Sequence, residues 1–137
     1  MQFLLETDFD VQIMTMILNI QTNEDPLILD NAESASISEM ISYLSTRYNT
    51  EEIFAATGDD RHRLIVMYLV DMVIYHTGAR NIPKQNIELR GIRYEAAINW
   101  LNKVNKGLLN PDLPKLTDEN GNTKTTFRWG SQPLRSR

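Results

Sequence analysis

The run Leu64-Ile-Val-Met-Tyr-Leu-Val-Asp-Met-Val-Ile-Tyr75 limits what this chain can fold into more than any other stretch, because eleven of its twelve residues are apolar or tyrosine. Placed on a helix, they cover every face. A helix apolar all round is either a membrane span or the buried centre of a helical domain. A span needs about 20 apolar residues, whereas this run is broken by Asp71 and follows the charged stretch Asp59-Asp-Arg-His-Arg63. The length therefore predicts a core helix over about 59–78, with Asp59 or Asp60 capping its first turn and Gly78, in the left-handed conformation, closing its last. The other segments are then its coat, and no membrane partner is expected.

A chain of 137 residues is most simply one domain, long enough to bury a core without covalent staples. Cysteine is absent, which excludes disulfides, thiolate chemistry and zinc-thiolate sites. The N-terminus has no basic region leading into an apolar run, so no secretory signal is expected and the protein starts out cytoplasmic. Charge is unevenly spread. Residues 1–123 hold all eighteen acids and ten of the fourteen bases, a balance of −8, while Lys124, Arg128, Arg135 and Arg137 give the last fourteen residues +4. Such asymmetry marks a tail that meets something other than solvent.

The helix signals arrive in order. Thr7-Asp8-Phe9-Asp10 reads as a capping box, and Phe9, Ile13, Met16, Ile17 and Ile20 follow on one face. Asp25-Pro26 reads as N-cap and first helical residue of a second helix running to about Tyr48, striped by Ile37, Ile41, Leu44 and Tyr48. Asn49 to Gly58 reads as a loop whose Ile53-Phe54 either tuck under the central helix or face another protein chain. Beyond a turn at Ala79–Pro83, Ile87, Gly91, Tyr94, Ile98 and Leu101, widened by Ala97, Trp100 and Val104, predict a fourth helix that Gly107 ends. The expected fold is thus all-α, four helices around the buried one, over a domain 1–107. From Leu108 the prolines at 111, 114 and 133 forbid another helix, and 108–137 reads as an extended docking tail. Asn120-Gly121 is a hairpin-turn signal, and Thr123 to Trp129 suits a strand, either in a hairpin or added to a partner's sheet edge.

Catalytic material is sparse. Asp71 and His76 stand five apart on one helix and point to different sides. His62 beside Asp59 and Asp60 could hold a metal, but polar residues at a helix start more often cap it or meet solvent. Asp118-Glu-Asn-Gly-Asn122 lacks the glycine placement and the last carboxylate of a calcium loop. No phosphate loop or nucleophile elbow occurs. Neither cofactor nor metal is expected, and the protein is read as not an enzyme. Asp71 alone asks for an explanation, because a carboxylate in an apolar helix costs several kcal/mol unless paired. Arg47 and Arg93 are its candidate partners, in a structural ion pair.

Tyr43-Leu44 with Arg47-Tyr48, then Asp71 and Tyr75, then Arg93-Tyr94-x-x-Ala97-x-x-Trp100-Leu101 closing at Lys106-Gly107, resembles the Mu-type family of tailed-phage head-tail connector proteins. Phe127-x-Trp129-Gly130-Ser131-x-Pro133 is similar to the short terminal motif of that family. The likeness lies in order and spacing, from about Ala32 onward. Met40-Ile41-Ser42 departs from the family in lacking an acid before the Tyr-Leu pair, and 49–58 departs in lacking proline. The resemblance implies a virion protein at the head-tail junction, made in the host cytoplasm. It would form a ring of twelve copies under the portal protein, extend the DNA channel and meet the next neck or tail protein. Partner docking then falls to Phe127, Arg128, Trp129, Arg135 and Arg137 in the tail, and to Ile53 and Phe54. An acidic body suits a channel through which DNA slides without sequence-specific binding. A small helical nucleic-acid-binding regulator is the alternative, against which stand the acidic body and the lack of a basic recognition helix.

Overall fold

The computed structural model describes residues 1–11, 13, 19, 25–77 and 84–117, with the side chains of 84–87 excepted. Helices dominate these residues, and no strand longer than a single bridge occurs among them. They are α1 (Glu6–Phe9), α2 (Pro26–Leu44), α3 (Thr50–Ala55), α4 (Arg63–Thr77) and α5 (Lys84–Asn105), with a 3-10 turn over Gly58–Asp60. α4 is the hub. α2 and α5 pack against it and against each other, and α1 against its outer side.

α1 starts one residue before the Thr7 expected to cap it. Leu5 is the N-cap, and its N–H donates to the Asp8 carboxylate at 2.7 Å. Phe9 and Ile13 are buried, and the rest of the predicted stripe, Met16, Ile17 and Ile20, lies outside the described residues. α2 begins as the Asp25-Pro26 signal requires, with the Asp25 carboxylate accepting from the Leu27 N–H at 3.0 Å. Its buried face is Ala32, Ser36, Met40 and Leu44, spaced four apart, so Ile37 is only partly covered.

α2 also ends at Leu44, four residues short of the expected Tyr48, and the reason is tertiary. The Asn49 N–H donates to the Pro114 carbonyl at 2.8 Å, the Leu116 N–H donates to the Arg47 carbonyl at 3.3 Å, and Tyr48 faces Lys115 in an antiparallel bridge. The Tyr48 N–H still donates to the Leu44 carbonyl at 2.9 Å, but the Asn49 N–H and the Arg47 carbonyl, engaged by Pro114 and Leu116, no longer carry the helix further. Leu113 enters the core beside this bridge. Residues 108–117 therefore lie back on their own helical body, which corrects the boundary expected at residue 107 and the view that the tail leaves the body there. Residues 118–137, including the Asn120-Gly121 turn, the expected strand and the +4 cluster, lie outside the described residues.

The segment read as a loop over Asn49–Gly58 contains α3, because the Asn49 side chain accepts from the Glu52 N–H at 3.2 Å and caps a short turn. The start of α4 is corrected as well. Asp59 and Asp60 are exposed in the 3-10 turn, where Gly58 takes a left-handed φ of 56°, and the first helical hydrogen bond runs from the Val66 N–H to the His62 carbonyl. The middle of α4 is covered on all sides, with Leu69 to Ile74 buried without a break. Leu64 and Tyr75 are partly open to solvent. Gly78 lies outside the described residues. At the end of α5, Gly107 has φ 78°, and the Leu108 and Gly107 N–H groups donate to the Lys103 and Val104 carbonyls, a Schellman closure. A Cβ there would also lie 3.0 Å from the Arg47 guanidinium, which would have to shift to make room for it.

Candidate functional site

Asp71 is buried to 3% in the middle of α4, and its Oδ1 accepts from the Arg93 Nε on α5 at 2.8 Å. Of the two candidate partners it is Arg93 that reaches it. Arg47 is engaged elsewhere: its guanidinium donates to the Val104 carbonyl and to Asn110 Oδ1, each at 3.0 Å, and so ties the end of α2 to the closing turn of α5. A second arginine that the sequence reading missed, Arg90, is itself buried and stands close enough to Asp71 for the charges to interact. The spacing carried the signal, because residues 90 and 93 are neighbours one turn apart on α5. Burial pushes the Asp71 carboxyl above its ordinary range, and the Arg93 hydrogen bond and the nearby guanidinium charges only partly offset this. The cluster joins two core helices.

Ile53 is buried and Phe54 is half-buried with its ring edge-on to Phe3 at 5.2 Å. Both tuck inward against the core, which corrects their assignment as partner-docking residues. The other docking residues proposed from the sequence, Phe127, Arg128, Trp129, Arg135 and Arg137, lie outside the described residues.

Two further polar joints hold the first ten residues, and neither had a sequence signal beyond an acid in the right helix. Glu33, 2% exposed, accepts from the backbone N–H groups of Gln2 at 2.6 Å and Leu4 at 2.8 Å. Arg61 donates to both carboxylate oxygens of Asp8, at 2.6 and 3.2 Å, to the Phe3 carbonyl at 3.0 Å and to the Gly58 carbonyl at 2.9 Å. The Asp8 carboxyl is held below its ordinary value: desolvation raises it, and the hydrogen bonds from Arg61 and the Leu5 N–H outweigh that.

Where α2, α4 and α5 meet the surface, Glu39 accepts from the Tyr94 hydroxyl and lies 3.1 Å from His76 Nε2. Tyr75 stacks on Tyr94 with ring centroids 4.1 Å apart. Burial, then the Glu39 hydrogen bond, pushes the Tyr94 phenol far above its usual value. A histidine and a carboxylate in contact could move a proton; a cleft of about 590 Å³ between α1 and the start of α4, bordered by Leu5, Val11, Arg61 and Met67, lies apart from Glu39, Tyr75, His76 and Tyr94. The group reads as a polar seal over the helix junction. Among the described residues no three metal-ligating side chains come together, so His62 has no cluster around it, and no helix is long and apolar enough to cross a membrane. No protein-family model, curated protein or solved structure matches this chain.

Proposed function

We infer that the chain is a structural subunit of a tailed-phage head-tail junction, a connector of the Mu type. It sits as a ring under the portal, lengthens the DNA channel and presents a surface to the next neck or tail protein. In this reading the subunit is four helices around the buried α4, the first of them running through residues 7–20, with a C-terminal docking tail that begins beyond Thr117. The observation that carries the reading is where the residues of the resemblance fall: Arg47, Asp71, Tyr75, Arg93 and Tyr94 all lie at joints between helices. A pattern made of joints describes a scaffold, and a scaffold with an acidic body and a basic tail is suited to assembly around DNA. The test is native mass spectrometry together with negative-stain imaging of the full chain, alone and mixed with a portal ring. Closed rings of uniform copy number that stack on the portal are expected. A chain that neither forms rings nor binds portal under any of these conditions rules the reading out.

A further inference from the structure

α5 carries a second face that the body leaves bare. Glu88, Leu89, Ile92, Glu95, Lys103 and Lys106 are all exposed, and at 100° per residue they fall within about 120° of arc. Leu89 and Ile92 are 48% and 64% exposed. Helices of domains usually turn such side chains inward, and an apolar pair rimmed by charge marks a contact surface when something complementary to it exists. Here the complement lies on the same helix. Glu88 lies near its start and Glu95 at its middle, while Lys103 lies in its last turn and Lys106 one residue past its end, about 27 Å from Glu88.

The helix dipole explains part of this polarity, since lysines favour a C-terminus. It does not explain Glu95, the twelfth residue of a helix of 22, because the dipole acts only over the first and last turns. It does not explain the two exposed apolar residues either. A face that is acidic at one end and basic at the other is complementary to itself when turned through 180°. We propose that this face of α5 docks on the same face of a second copy of the chain, antiparallel, about a twofold axis near Ala97. Glu88 of each copy then meets Lys106 of the other, and Glu95 comes within one turn of Lys103. The methylene stems of the lysines cover Leu89 and Ile92, as long cationic side chains do over apolar surface. Exposed Ala96 at the axis lets the helices approach. The contact is isologous and closes on two copies. It describes a pair formed by the free chain and does not depend on the ring reading, which needs a different, head-to-tail contact.

The test is sedimentation velocity of the full chain over a concentration series at low and high salt, with circular dichroism as a check that each variant is folded. Glu88→Lys with Glu95→Lys is one variant, and Lys103→Glu with Lys106→Glu is the other. Each alone should dimerise at least about tenfold more weakly than the parent, because facing pairs become like-charged. Mixing the two should restore a heterodimer, and the fourfold reversal should dimerise as the parent does. A parent that stays monomeric throughout, reversals that leave dimerisation unchanged, or a mixture that fails to pair would each overturn the proposal.

Discussion

Asp71 illustrates how one residue can be both a cost and a constraint. Its carboxylate is desolvated in the core, and Arg93, about one-third exposed, supplies the hydrogen bond that keeps it tolerable. Replacing Arg93 with alanine leaves that carboxylate buried beside Arg90 alone, and chemical denaturation should show a loss of about 2–3 kcal/mol, below the range for a fully buried pair. The pH dependence has a definite sign. The folded pKa lies above the unfolded value of 3.8, so the folded state takes up the proton first, and stability rises as pH falls through the folded pKa. Melting curves of the parent and of Asp71→Asn, compared from pH 7 to pH 4, should show the parent gaining on the variant as the solution is acidified. Tyr48 poses the opposite case. Its ring is in the core and its hydroxyl finds no hydrogen-bond partner among the described residues. Tyr48→Phe removes an unsatisfied group and should leave the melting temperature unchanged or raise stability by up to about 1 kcal/mol. A drop of that size would reveal a partner for the hydroxyl.

At the scale of elements, the ten residues after Gly107 matter more than their irregular shape suggests. They carry Leu113 into the core, cover Tyr48 and supply the backbone partners that stop α2 at Leu44. A chain ending at Gly107 loses these contacts, and a chain ending at Thr117 keeps them. Burial of one leucine, together with the lost cover over Tyr48, is worth about 2–3 kcal/mol. The shorter chain should therefore melt roughly 10 °C below the longer one in calorimetry. Equal melting temperatures would mean that the bridge at Tyr48 and Lys115 adds nothing to the body. The N-terminal segment is held in the same manner, by Glu33 and Arg61 reaching backbone groups that have no helix of their own.

For the whole molecule the deciding quantity is how charge is laid out. An acidic body repels phosphate, and only the four bases of the last fourteen residues stand apart from it. Binding of the full chain to double-stranded DNA should consequently be weak, and its logarithmic salt dependence should correspond to no more than about four phosphate contacts. A steeper slope measured by fluorescence anisotropy would favour a nucleic-acid-binding regulator over a channel-forming subunit.

Much of this architecture was legible along the chain. The apolar run dictated a core helix, Asp25-Pro26 its neighbour's start, Gly107 the end of α5, and Asp71 the need for an arginine, because each signal acts within one helix or one turn. Tertiary structure alone decided that Arg93 and not Arg47 answers Asp71, that α2 stops at Leu44, that Ile53-Phe54 turn inward on a helix, and that Asp8 waits for Arg61 at a separation of 53 residues. Local sequence sets backbone preference within a few residues. Partners far apart in the chain are chosen by which faces pack together, and an ion pair or a backbone bridge forms only where that packing has already brought its two halves within reach.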